Sequence, residues 1–204
     1  MPDFKFEDKA GGVIAGVDEA GRGPWAGPVV AGAVVLERDT LPATLRNGLD
    51  DSKKLKAARR RELFEVLSNE ARIAVGIATV AEIDALNILQ ATLLAMSRAV
   101  DGLAITPDMA LIDGNRAPPL PCPANCIVKG DGLSLSIAAA SVVAKVTRDA
   151  IMADLAHQHP GYGWERNAGY GTKEHQDALA RLGVTRHHRK SFKPIIKILG
   201  GSPL

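Results

Sequence analysis

The stretch GVIAGVDEAGRGPWAGPVVAGAVVLE, residues 12–37, decides how this chain is read. Two β-branched runs, residues 12–19 and 27–37, are each bounded by Gly and Pro, which reads as two strands. The intervening AGRGPWA reads as a tight turn, so the pair is expected to form a hairpin. The first strand closes on Asp18 and Glu19, just ahead of Gly21. Adjacent strand residues point to opposite faces, so these two acids can share one site only where the strand ends or bulges between them.

Outward from the hairpin, residues 72–79 read as a third strand, and residues 108–113 and about 125–129 as two shorter ones. Residues 56–70 read as a helix carrying Leu63, Val66 and Leu67 on one stripe. Residues 81–100 read as one amphipathic helix, because Ile83, Leu86, Leu89, Leu93, Met96 and Val100 recur every three or four positions. An Ala- and Val-rich helix follows at 134–155, with Ser134 or Ser136 as its N-cap. Beyond a Gly-rich loop at 160–172, a last helix runs from about 172 to 182 and stops at Gly183. Strands come first and then alternate with helices, which argues for an α/β domain with a sheet of mixed direction. No linker divides residues 1–204, so a single domain is expected, its termini frayed.

The composition agrees. A hydrophobic fraction of 46% is too high for a disordered chain. The longest charge-free stretch, residues 24–36, is too short to span a bilayer and is broken by Gly and Pro. The first residues lack an apolar signal segment, and two cysteines make no disulfide framework. A monomer in the reducing cytoplasm, with no membrane partner, is the expectation. Cys122 and Cys126 have no second pair for zinc and read as plain thiols. The net charge is only +2, but it is unevenly spread. Residues 53–61 and 181–204 are rich in Lys and Arg and hold no acid. That separation suits a polyanion gripped at some places and acid-dependent chemistry at another, although solvated helix faces would look the same.

The acids that suggest chemistry are Asp18, Glu19, Asp113 and Asp131. Each lies at or just past a strand end and close to a glycine, where the backbone can turn and expose a carboxylate. Carboxylates suit hard cations such as Mg²⁺ or Mn²⁺. Two such ions, about 3.5–4 Å apart, can serve the attacking and leaving oxygens of a phosphodiester. For any one of these acids, a turn or surface charge is the plainer reading.

The ordered set of motifs sharpens this. GVDEAGRGPWAGPV at 16–29, DSKKL at 51–55, LIDGN at 111–115, VKGD at 128–131, SIAAASVVAKVTRD at 136–149, GYGTKEH at 169–175 and HRKSF at 188–192 together resemble ribonuclease HII, from about residue 12 to 194. The resemblance implies a ribonuclease H-like fold: a mixed, about five-stranded sheet flanked by helices, with a short C-terminal helical or basic segment. It implies a Mg²⁺- or Mn²⁺-dependent endoribonuclease using two metal ions. Such an enzyme hydrolyses the RNA strand of RNA–DNA hybrids and nicks duplex DNA 5′ of embedded ribonucleotides, leaving 3′-hydroxyl and 5′-phosphate ends. By resemblance, Asp18, Glu19, Asp113 and Asp131 are the metal-binding acids. Asp149 is the rival for the fourth place, although its spacing from Lys145 favours a helix-face ion pair.

Gly21, Arg22 and Gly23 match the element that contacts the ribonucleotide, and Tyr170 the aromatic that packs on the junction sugar. Lys53, Ser141 and Lys145 resemble phosphate-contacting positions. His188, Arg189 and Lys190 either reach the nucleic acid or form a basic tail, and His175 is left as structural. Two rivals remain: another metal nuclease on the same fold, and a non-catalytic hybrid-binding protein.

Overall fold

A computed structural model describes residues 1–200; the last four residues of the GGSPL tail, where fraying is expected, lie outside the described stretch. Helix α1 (Lys5–Ala10) leads into β1 (Ile14–Ala20) and then β2 (Val29–Val35), followed by α2 (Ala43–Arg46), α3 (Ala57–Glu70) and β3 (Arg72–Ala78). Next come α4 (Val80–Leu86), α5 (Ile88–Asp101), β4 (Met109–Asp113), β5 (Ala124–Ile127) and a 3₁₀ turn at Gly130–Gly132. The chain continues through α6 (Leu135–Gln158), α7 (Trp164–Asn167), α8 (Lys173–Leu182) and α9 (Lys193–Ile198).

The strands form one five-stranded sheet in the order β3-β2-β1-β4-β5. β1 pairs antiparallel with β2, and β2 with β3. β4 lies parallel to β1 and to β5. The mixed direction expected from the sequence is therefore present, and its parallel half brings the far ends of β1 and β4 to the same edge.

Helices cover both faces. On one face, α5 presents Ala91, Ala95, Met96, Ala99 and Val100 to Ala15, Val17, Val29, Ala31 and Ile112 of the sheet. On the other, α6 and α3 pack Ala138, Ala139, Val142, Val143, Leu63 and Leu67 around Val34. The alanines of α6 matter because the helix sits almost on the strands. A Cβ added at Gly16 would lie 2.1 Å from the Ser136 carbonyl carbon, and one at Gly32 would lie 2.6 Å from the Ala140 oxygen. The small residues on both sides let helix and sheet touch backbone to backbone.

Three expectations change. The helix expected over 81–100 is two helices. Asn87 breaks it at φ 73°, and its side chain caps α5 by accepting from the Leu89 and Gln90 amides. Thr79 and Glu82 close a capping box on α4. The apolar period runs through the break, which hides it. The amino end does not fray. The Asp3 amide donates to the Leu133 carbonyl, and one oxygen of buried Glu7 accepts from Ser134 Oγ at 2.6 Å and from the Ser136 amide at 2.9 Å. Of the two N-cap candidates Ser134 fills the role, accepting from the Ile137 amide, while Ser136 turns to Glu7. Finally, β1 and β2 do form a hairpin, but residues 21–28 are a long loop held by distant parts of the chain rather than a tight turn.

Gly16→Ala tests the close contact. It should destabilise the fold by about 1–3 kcal/mol or more, because the Ser136 backbone cannot move aside as a side-chain tip would. The urea midpoint of the variant against wild type measures it.

Candidate active site

Asp18 lies one residue past the last β1–β4 pair, Val17↔Ile112, and Asp113 ends β4. The β1–β2 register is regular through Asp18↔Gly32 and Glu19↔Ala31, so no bulge brings the two neighbouring acids onto one face. Asp18 lies two residues from Gly16 and shares its face toward α6. Glu19 turns to the opposite face, where it lines a small cleft with Thr92, Leu93, Met96 and Asn115. Asp131 arrives from the 3₁₀ turn, entered through Lys129 in a left-handed conformation at φ 59°. The Gly130 amide donates to Asp113 Oδ1 at 2.7 Å and ties that turn to the end of β4.

The result is a group of three: Asp18, Asp113 and Asp131 each offer an oxygen within 4.8 Å of the others. Glu19 stands beside this group rather than in it, yet is close enough for Asp113 to raise its pKa. Asp149 is elsewhere, paired with Lys145 at 2.6 Å as its spacing suggested. So Asp131, not Asp149, is the acid that joins Asp18 and Asp113.

The electrostatics show what this arrangement costs. Asp18 is 3% exposed. Burial, and then the charges of Glu19 and Asp113, push its carboxyl well above the usual range, although the Glu19 amide donates to it at 2.7 Å. Burial also raises Glu19, against the opposing pull of Arg22 3.4 Å away. Burial raises Asp131 too, joined by Asp113 and Asp51. Lys53 stands toward Asp131 as a counter-charge at 4.0 Å, with Lys54 farther off. Burial opposes the charge of Lys53, but the summed attraction of Asp18, Asp51, Asp131 and Asp113 wins and raises its pKa. Buried acids with so little compensation are a donor set suited to a hard cation: oxygen ligands only, excess negative charge, and a rigid scaffold. The residues present therefore fit a divalent ion.

Beside the acids lies the loop 21–28. Gly21 sits at φ 100°, and a Cβ there would strike the Arg148 guanidinium at 2.0 Å. A Cβ at Gly23 would approach the Tyr170 ring to 3.3 Å. Tyr170 is 47% exposed, the largest exposed ring next to this loop. Gly21, Arg22, Gly23 and Tyr170 are thus brought together at one side of the acids, with Lys53 at another.

The other expected contact residues are placed as follows. Ser141 is buried, donates to Ser52 Oγ at 2.7 Å and lies against Asp18, whose pKa it lowers against the rise from burial. His188 and Arg189 are fully buried, so neither belongs to a basic tail nor can reach nucleic acid; only Lys190 of that trio is exposed. Lys145 is held by Asp149.

Reading the sequence missed what shapes the loop. Arg189 donates to the carbonyls of Gly21, Arg22, Gly27 and Pro28, and Arg148 to those of Ala26, Pro28 and Ala168. Burial lowers Arg189 to about 9 and Arg148 to about 10. A signal for Arg148 existed: it sits four residues from both Ala144 and Met152, on a buried stripe of α6. Asp51 was also overlooked, although its charge acts on Asp131 and Lys53.

The comparisons with known proteins agree with this geometry. The family model for ribonuclease HII matches residues 15–195. A ribonuclease HII of Paramagnetospirillum magneticum is 61% identical over 199 residues, covering 98% of this chain and 99% of its own. The crystal structure of the ribonuclease H2 from Pyrococcus horikoshii has a TM-score of 0.72 at 27% identity, covering 91% of this chain and 96% of its own. A Bst ribonuclease HIII structure shares the fold, with a TM-score of 0.77 at 20% identity over 98% of this chain and 73% of its own. Sheet order, acids and likenesses together define a nuclease hydrolase with a ribonuclease H-like fold. The chain belongs to the ribonuclease HII family.

Removing one charge from the acid group should relieve repulsion. Asp18→Asn, measured in chelator, should raise Tm by about 2–4 °C, corresponding to about 1 kcal/mol. Differential scanning calorimetry of the two proteins checks this, and a lower Tm would show that the acids are not in conflict.

Proposed function

We propose that this chain is an endoribonuclease that cleaves the RNA strand of RNA–DNA hybrids and nicks duplex DNA on the 5′ side of an embedded ribonucleotide, leaving 3′-hydroxyl and 5′-phosphate ends. The observation that carries the reading is the convergence of Asp18, Asp113 and Asp131 from three distant segments, beside the 21–23 loop and Tyr170. Such a group gains nothing for a pure binder of nucleic acid, because its charge would repel phosphate.

Asp18, Asp113 and Asp131, with Glu19 at their flank, would hold two divalent cations, Mg²⁺ or Mn²⁺. Bound there, the cations supply Lewis-acid stabilisation of the charge on the phosphodiester and on the attacking water. The rest is the work of the chain's own residues. The regular strands and the Gly130–Asp113 hydrogen bond keep the carboxylates in register, so no reorganisation is needed when substrate arrives. Lys53, mostly exposed beside Asp131, is placed to meet a phosphate oxygen. The Gly23 backbone can approach a ribose beside Tyr170 because no Cβ stands in the way, while Gly21 and Arg22 are held next to it by Arg148 and Arg189. A 2′-hydroxyl both donates and accepts, and it is the group that distinguishes RNA from DNA. Tyr170 offers an exposed face for the sugar at the RNA–DNA junction. Ser141 serves indirectly, by fixing Ser52 next to Lys53. We propose further that the chain works as one domain and as a monomer.

A DNA duplex carrying one ribonucleotide tests this directly. With Mg²⁺ or Mn²⁺ the protein should nick it 5′ to the ribonucleotide, and chelator should abolish the cut. Asp113→Asn should lower the rate by at least about 10³-fold while remaining folded. Substantial cleavage by that variant, or cleavage of an all-DNA duplex, would overturn the assignment.

Tyr170→Ala should slow the nick at a single ribonucleotide by about 10-fold or more, with Tm nearly unchanged, since the ring is half exposed. An unchanged rate would remove Tyr170 from the site.

A further inference from the structure

We infer that His175 and His188 are positioning residues for Tyr170: two neutral imidazoles in opposite tautomers that link the Tyr170 carbonyl to the backbone at Thr185. The inference rests on the reading of Tyr170 as the junction contact. It concerns buried polar groups that the proposed reaction does not otherwise use.

The hydrogen bonds fix both rings. The Thr185 amide, which can only donate, points at His188 Nδ1 from 3.0 Å. His188 Nδ1 is therefore an acceptor, and the ring proton sits on Nε2. The Trp164 indole, also only a donor, gives its hydrogen to His175 Nε2 at 3.2 Å. His175 Nε2 is therefore an acceptor, and its proton sits on Nδ1. The two ε nitrogens lie 3.0 Å apart, so His188 donates to His175, sharing the single Nε2 lone pair with the Trp164 indole. His175 Nδ1 lies 2.9 Å from the Tyr170 carbonyl oxygen and donates to it. Each assignment comes from a separate donor, and together they run in one direction: Thr185 to His188 to His175 to Tyr170. Both rings are fully buried. Burial, followed by the neighbouring His175, pushes His188 down to about 4, in keeping with a neutral ring.

The line ends where placement matters. Tyr170 lies in the short run between α7 and α8, where only Gly169 and Gly171 flank it. Its own amide donates to the Asn167 carbonyl, and the Thr172 amide donates to its carbonyl. A ring on such a glycine-flanked residue has little side-chain packing to hold it, being half exposed. The donor from His175 fixes the peptide plane that sets where the ring stands beside Gly23. The other end of the line is equally anchored. His188 bridges to Ala26, and the Arg189 amide donates to the Trp25 carbonyl, so the same segment that holds the histidines also holds the 21–28 loop. Tyr170 and the loop are thereby set by one piece of chain.

The experiment has two arms, both on the full chain. Long-range ¹⁵N–¹H correlation spectra at pH 7 should show His175 as the Nδ1–H tautomer and His188 as the Nε2–H tautomer. A charged ring, or either tautomer reversed, overturns the inference. The second arm is kinetic, on duplex DNA with one ribonucleotide. His188→Leu, which cuts the line, should raise KM by about 5–10-fold with kcat within about twofold, whereas His188→Gln, whose amide can still donate to His175, should recover most of the loss. In a Tyr170→Ala background, His188→Leu should add less than about twofold, because it acts through the missing ring. Equal losses in both backgrounds, or an unchanged KM in His188→Leu, overturn it. If Tyr170→Ala is itself without effect, the reading of Tyr170 fails and takes this role with it. If Tyr170→Ala is impaired and His188→Leu is not, only the histidines are wrong. Should His188→Leu fail to fold, the tautomers and His188→Gln decide.

Discussion

Two buried guanidinium groups, neither in a salt bridge among the described residues, hold the active edge of this molecule together. Arg148 and Arg189 are sealed from solvent, and their hydrogens go to backbone carbonyls of residues 21–28 and 168. A buried cation left without acceptors is costly, so those carbonyls must stay where they are. That requirement gives the loop its shape. It also explains Gly21, whose missing Cβ leaves room for the Arg148 side chain. The loop belongs to a hairpin near the start of the chain, and the groups that fix it come from α6 and from the segment after α8.

The carboxylates show the opposite economy. Their neighbours do not satisfy them; their scaffold compels them. Regular β1–β2 pairing and the contact of Gly16 with α6 put Asp18 where it is buried against like charge. The protein thus keeps stored unfavourable energy at one edge and spends packing elsewhere to hold it, a pattern common to sites whose task needs a charged partner. Glu19, on the other face, suffers less because Arg22 stands near it.

Much of this was legible from residues alone. The strands were, because β-branched runs between glycines have few other uses. The acids were, because each lies at or just past the end of a strand and near a glycine. Asn87 was not, since an apolar period that continues through a break conceals it. Arg189 and His188 were misjudged because a basic run near the end of a chain looks solvated. Only the fold shows that Trp25 and Ala26 lie against that run. The Ser52 hydroxyl that faces Ser141 was not legible, because a serine on a helix says nothing of which group packs against it. Spacing pointed Asp149 toward Lys145, and the 3₁₀ turn carries Asp131 to β4.

The parallel pairing of β1 with β4, Ile14 against Met109, has a consequence in time. Local helices and the β1–β2–β3 meander can form early, but the strand register that assembles the acids must wait until distant parts of the chain have met, and such long closures are slow. Asp18 meets Asp113 and Asp131 only through that pairing, against their mutual repulsion. Until β1 and β4 have paired, residues 18 and 113 are strangers about a hundred positions apart, so the acid group is a property of the completed sheet and of no smaller piece of the chain.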